Sequence, residues 1–290
     1  EKTFCISISE LEKKLKKKKI DLVIPVHLSG HSCEMKEIYK LKKKYNFSII
    51  EDSCHALGGK YFNYKIGSCK FSDISTFSFH PVKPITTGEG GMITTNNKNI
   101  YKKLLLYRTH GINKNNTSFK NHKLAFDNYK QPNRWYYEMD LLGFNYRITD
   151  IQAALGKSQL VKLDKFTKKR NQIAKIYNNN FNKIKNIKIP FKSINVKHTY
   201  HLYTILINFK KINFTKNEFM NYLYKKRIGS QVLYIPVFLQ PYYMRKYNYK
   251  PANFPVSMKY YQQALSIPIF YDLTKDEQFK IIKIIKKICN

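Results

Sequence analysis

Lys83 stands between Pro81 and Pro84, just past the apolar run Ser75-Thr-Phe-Ser-Phe79 and just before the turn Gly88-Glu-Gly-Gly91. Most other lysines lie in runs such as Lys16–Lys19 and Lys42–Lys44, which read as solvated faces of amphipathic helices. Lys83 is placed like a working amine. Asp52 closes an earlier strand-like run, Phe47-Ser-Ile-Ile-Glu-Asp52. A lysine and a carboxylate at two strand ends are what pyridoxal phosphate chemistry needs. Lys83 would hold the cofactor as an imine, and Asp52 against the ring nitrogen would keep that nitrogen protonated. Once an amino acid displaces it, Lys83 is placed to move the α-proton to the cofactor's C4′ carbon as general base and acid.

Each residue also has a plainer reading. Lys83 can be an exposed loop lysine, and Asp52 a turn carboxylate capping Ser53-Cys54-His55. Ser78 could hydrogen-bond a cofactor phosphate or simply satisfy backbone at its strand end. His55 could lie over the cofactor ring, touch its 3′-oxygen, or be structural. The Gly88–Gly91 run precedes a strand rather than a helix and lacks the Gly-x-Gly-x-x-Gly pattern, so it reads as a tight turn.

The elements that must position these residues follow from periodicity. Ser9-Glu10-Leu11-Glu12 predicts a capping box opening a basic helix to about Lys19. Strands are predicted at Asp21–Val26, Phe47–Asp52, Ile74–Phe79 and Gly91–Thr95, with Met35, Ile38, Leu41 and Tyr45 on one face of an intervening helix. Strand–helix–strand order predicts a mostly parallel sheet covered by helices, with ligands at the carboxyl ends of the strands. Residues 113–137 read as a long polar and aromatic excursion. Thr149 caps a long helix through Ile151, Leu155 and Leu163 to about Phe181. Strands at Ile187–Pro190, Tyr200–Asn208 and Gln231–Val237 follow. Capping boxes at Thr215–Glu218 and Thr274–Glu277 open two more helices, the last with Phe279, Ile282 and Ile285 on one stripe. The expected division is a large domain over residues 1–165 and a smaller α+β domain over residues 166–290.

Bulk properties exclude several classes. The 290 residues suffice for two domains, and no stretch of about 20 apolar residues predicts a membrane span. A formal charge of +34 invites a nucleic-acid reading, but the basic residues are spread over most segments, so no specific nucleic-acid partner is expected. The five cysteines form no Cys-x-x-Cys and no secretory signal precedes them, which predicts reduced thiols in the cytoplasm. His27, His31 and Cys33 lie close together, but no further ligand pair has zinc-site spacing, and no metal site is expected. The chain begins at Glu1 rather than methionine, so its true N-terminus is expected to be absent.

Five motifs in order carry a resemblance: Pro25-Val-His-Leu-Ser-Gly30, Glu51-Asp-Ser-Cys-His-Ala-Leu-Gly58, Phe77 through Gly91, Arg108-Thr-His-Gly111, and Gly143-Phe-Asn-Tyr-Arg-Ile-Thr-Asp-Ile-Gln-Ala-Ala154. Over nearly the whole chain the sequence resembles the DegT/DnrJ/StrS sugar aminotransferases, which are fold-type I pyridoxal phosphate enzymes. The resemblance implies Lys83 as the imine lysine, Asp52 as the ring-nitrogen partner and Ser78 as a phosphate ligand. It implies that Asn145 reaches the cofactor of a neighbouring subunit, in a homodimer with shared active sites. His55 and the run His80–Thr87 look most like the branch serving pseudaminic acid synthesis. There an amino group, usually from glutamate, moves onto C4 of a UDP-linked 4-keto-6-deoxy-N-acetylhexosamine. A related enzyme acting at C3 of a dTDP-sugar, or a non-catalytic truncated basic protein, are the alternatives. Leu233 departs from the pattern, since relatives often carry histidine there. Family members also carry a long segment before the strand at Leu22, with a glycine-threonine helix start and a ring-stacking aromatic. The large domain is therefore expected to be incomplete.

Overall fold

A computed structural model describes residues 2–290. Four strands form the first sheet, in the spatial order Leu22–Val23, Ser48–Asp52, Ile74–Ser78 and Gly91–Thr94. The first two pairings are parallel, with Leu22 opposite Ser48 and Ile50 opposite Ile74. The last is antiparallel, with Ser78 opposite Gly91. The helix Met35–Tyr45 crosses between the first two strands, as a parallel pair requires. Its buried Met35, Ile38 and Leu41 share a cluster with Leu11, Leu15, Val23, Phe47 and Ile49.

A second sheet pairs Tyr203–Ile207 antiparallel with Ala264–Ile267 on one side and Ile187–Lys188 on the other. Tyr203, Ile205 and Ile207 are buried, and helices Leu163–Phe181, Lys216–Lys225 and Lys275–Cys289 contribute Tyr177, Phe219 and Ile285 to the same core. The capping boxes at Thr215 and Thr274 form as predicted, each with a reciprocal glutamate contact. No helix among the described residues is long and apolar enough to cross a membrane.

Four expectations are corrected. The first helix spans Ile8–Lys17 and its cap is Ser7, whose hydroxyl accepts from Glu10 N–H at 3.3 Å. The long helix after Thr149 is two helices, Asp150–Leu160 and Leu163–Phe181. Lys162 N–H bonds the Gln159 carbonyl, an i to i−3 bond that tightens the turn and ends the first ladder. Gln231–Val237 is no strand: a single bridge joins Gln231 to Ser266, and Pro236 has no N–H to continue one. On the last helix Phe279 is exposed, and the buried stripe is Gln278, Ile281, Ile282, Ile285 and Cys289.

The predicted excursion at residues 113–137 is present, broken by a 3₁₀ turn at Asn116–Ser118 and a single helical turn at His122–Ala125. It is closed at its base by antiparallel pairing of Ile112–Asn113 with Glu138–Met139.

Candidate active site

Alternation along Ser48–Asp52 sends Glu51 and Asp52 to opposite faces. Glu51 is buried, where His27 and Ser72 hold it. His27 Nδ1 accepts from Cys33 N–H at 3.1 Å, which leaves its Nε2–H to donate to Glu51 Oε2 at 2.8 Å. The histidine grouped with Cys33 in the sequence thus braces the strand from behind.

Asp52 faces the other way, and its backbone is fixed on both sides. Its N–H reaches the Pro25 carbonyl and its carbonyl accepts from His27 N–H, each at 3.0 Å. On the far side it lies opposite Thr76. One carboxylate oxygen, Oδ1, accepts from Cys54 N–H at 3.1 Å. The turn role read from the sequence is therefore present, and the second oxygen accepts no hydrogen bond among the described residues.

Lys83 sits on a short loop pinned at its base. Phe79 N–H bonds the Gly90 carbonyl at 2.8 Å, and Thr87 N–H bonds the Phe79 carbonyl at 3.0 Å. Ile85 anchors the loop from below, buried with Phe77 and Phe79. Lys83 N–H bonds the His80 carbonyl at 2.9 Å, which curls the tip. Gly90 carries φ +154°, and an added Cβ would come within 2.3 Å of Thr87 Oγ1, so glycine is needed to close the turn.

Lys83, Ser78 and His80 line one cleft of about 840 Å³. That volume suits a cofactor with part of a substrate. Its far wall comes from the second half of the chain: Arg170, His201, Ser230, Leu233, Tyr234 and Ile269. His55 is buried beside the cleft, its ring centroid 4.4 Å from that of His201. Its Nε2 lies 3.4 Å from the Tyr234 hydroxyl, and its buried Nδ1 has no partner among the described residues. Asn145 is not brought into this cleft. It is exposed and bridges Thr109.

Burial dominates the local titrations. It pulls His55 down to about 4, helped by the Lys83 charge and opposed by Asp52. His201 falls to about 2 through burial and then the charges of His55, Arg170 and Lys83. Cys54 is pushed up to about 11 by burial and its contact with Asp52, so its thiol stays protonated and is no nucleophile at neutral pH.

Both histidines are neutral when folded but take up protons near 6.5 when unfolded. Acidification therefore favours the unfolded chain, starting as pH falls through about 6.5 and continuing towards about 4 for His55. The thermal midpoint is expected to fall across that window, and His55→Gln to flatten part of the fall. A midpoint that moves identically in both proteins would contradict the assignment.

The groups present fit pyridoxal phosphate. An amine is held on a fixed loop, a carboxylate has a free oxygen, and an uncharged imidazole has an orphaned buried nitrogen. Ser78 Oγ, which accepts from His80 N–H at 3.3 Å, offers one hydroxyl for a phosphate.

The DegT/DnrJ/EryC1/StrS aminotransferase family matches residues 1–286. The chain belongs to this family. It is a sugar aminotransferase that depends on pyridoxal phosphate. The UDP-4-amino-4,6-dideoxy-N-acetyl-beta-L-altrosamine transaminase of Campylobacter jejuni is 36% identical over 97% of this chain and 72% of its own. GDP-perosamine synthase of Escherichia coli is 33% identical over 98% of this chain and 70% of its own. The solved structure of Helicobacter pylori PseC, an aminotransferase of pseudaminic acid biosynthesis, superposes with a TM-score of 0.86 at 31% identity. It covers 98% of this chain and 71% of that one.

Sequence reasoning picked out Lys83, Asp52, Ser78 and His55 but passed over Arg170, His201 and Tyr234. Only the fold shows that they face Lys83.

Proposed function

We propose that this transaminase moves an amino group from glutamate to C4 of a UDP-linked 4-keto-6-deoxy-N-acetylhexosamine. The observation that supports the site assignment is the cleft that Lys83 shares with Ser78, with buried His55 against His201 and Tyr234 of its opposite wall. Bound pyridoxal phosphate supplies the electron sink for loss of the α-proton. Lys83 Nζ would hold the cofactor and move that proton. The free oxygen of Asp52 would pair with the ring nitrogen and keep it charged. His55 would contact the ring or its 3′-oxygen, and Ser78 would donate to the phosphate.

The UDP-sugar assignment draws on the altrosamine transaminase and PseC, and on the resemblance over His80–Thr87. The similarity to a GDP-perosamine synthase makes a GDP-linked keto-sugar the second reading. Residues 1–165 form the cofactor domain and 166–290 the smaller domain in this reading. The five free cysteines support a cytoplasmic setting.

Asn145, exposed and outside the lining of its own cleft, completes the phosphate site of a second subunit in a homodimer. Mixing Lys83→Ala and Asn145→Ala subunits should then restore activity that neither has alone. Incubation with glutamate and matched UDP-, GDP- and dTDP-linked 4-keto-sugars, with product analysis by mass spectrometry and NMR, tests the substrate. Amination at C4 of the UDP-sugar is expected. Preference for the GDP-sugar, or amination at C3, would replace this assignment.

A further inference from the structure

Arg170 is a cation in the cleft with no acidic partner among the described residues. It belongs to the helix Leu163–Phe181 and lines the same cleft as Lys83 and His201. Its Nη1 donates to three backbone carbonyls, those of Ile269 at 2.7 Å, His201 at 3.1 Å and Tyr200 at 3.2 Å. Those bonds fix the plane of the guanidinium. None of the ion pairs involves Arg170. Burial alone pulls it down to about 10, so it stays charged at neutral pH with no acidic group beside it.

Its remaining donors, Nε–H and the two on Nη2, make no hydrogen bond among the described residues. The only sealed side-chain polar atoms without partners among the described residues are His55 Nδ1 and His201 Nδ1. Nε and Nη2 of Arg170 are therefore not sealed, on a residue that lines the cleft. A guanidinium with one edge fixed and the other free is built for a planar oxyanion held by two parallel bonds. Arg170, His201 and Lys83 line the same cleft, and both charges act on the His201 ring.

We propose that the free edge of Arg170 receives the carboxylate of the amino donor and so sets donor specificity. The assignment rests on the transaminase reading above. A carboxylate and a phosphate present the same oxyanion chemistry, so the donor's carboxylate and the nucleotide's diphosphate are the two possible sources. Arg170 is half-buried, and its guanidinium is held at Nη1 by three carbonyls, which favours the smaller group. Arg170 lines the same cleft as Lys83, so a donor bound at its free edge shares that cleft with the amine.

The test is calorimetric titration of the protein in its pyridoxamine phosphate form with 2-oxoglutarate and, separately, with UDP. Arg170→Gln is expected to weaken 2-oxoglutarate binding roughly 10–100-fold, the usual cost of a lost charged hydrogen bond, and to leave UDP binding unchanged. Arg170→Lys keeps the charge without the fork and should fall between. Because Nη1 also ties three carbonyls together, wild-type protein supplies a second measurement. Glutarate should shield Arg170 from phenylglyoxal, mapped by mass spectrometry, and UDP should not. Three outcomes overturn the proposal: unchanged 2-oxoglutarate affinity in Arg170→Gln, protection by UDP but not glutarate, or no saturable 2-oxoglutarate binding to wild type. Failure of the parent reading is separate, since it appears as no Lys83-dependent chromophore when pyridoxal phosphate is added.

Discussion

Lys83→Ala is expected to lose at least roughly 10³-fold in transamination, because one side chain supplies both the covalent anchor and the proton shuttle. Wild-type protein mixed with pyridoxal phosphate should show a visible chromophore that borohydride fixes to a single peptide containing Lys83. The variant should show none. The control matters because the chain carries 53 lysines and arginines, and exposed amines react weakly with any aldehyde. Lys83→Arg keeps the charge but cannot condense with an aldehyde, so it should fail as Ala does. A physical readout accompanies the kinetic one. The Lys83 charge helps hold His55 down, so His55 should titrate closer to its ordinary range in Lys83→Ala. A chromophore that survives in the variant, or an unchanged rate, would remove Lys83 from the centre of the site. The variant should fold normally, since the loop is held by backbone bonds and by Ile85, not by the lysine side chain.

The parts of this site that could be read from the sequence share one property: their signal is local. Lys83 is framed by two prolines and a glycine turn within ten residues. Thr215 and Thr274 announce their helices through a glutamate three residues on, and both boxes form. Pairing direction is not local, so nothing in Gly91–Thr94 itself says that it runs antiparallel to Ile74–Ser78. The same limit hides Arg170, His201 and Tyr234. Each lies in a run whose apolar pattern speaks of core or strand, and each reaches the cleft because the second sheet and its helices stand across from Lys83. Gln231–Val237 misled for a related reason. Its residues suit a strand, but beyond the Gln231–Ser266 bridge the chain turns away to form the cleft rim.

Asp52 is where the two readings of one residue can be separated. As a turn residue it offers Oδ1 to Cys54 N–H, and asparagine offers the same oxygen with nearly the same shape. As the ring-nitrogen partner it offers a charge, and asparagine has none. Asp52→Asn therefore keeps the turn and removes only the charge, while Asp52→Ala removes both. If the turn is all that matters, Asn behaves as wild type and Ala loses stability. If the charge acts on the cofactor, both variants lose rate alike, by roughly 10²–10³-fold. That is the kinetic equivalent of about 3–4 kcal/mol, the lower part of the 3–5 kcal/mol typical of breaking a buried charge pair. The second outcome is expected. Lys83 remains in both variants, so the chromophore should still form, its absorbance altered because the ring nitrogen loses its proton more easily. The stability cost of Asn should be small, since the Asp52 backbone is bonded to Pro25 and His27 whatever the side chain. Measured together, chromophore, rate and unfolding midpoint separate the roles: equal rate loss in Asn and Ala with a wild-type midpoint in Asn assigns the charge to catalysis. A wild-type rate in Asn would return Asp52 to the turn.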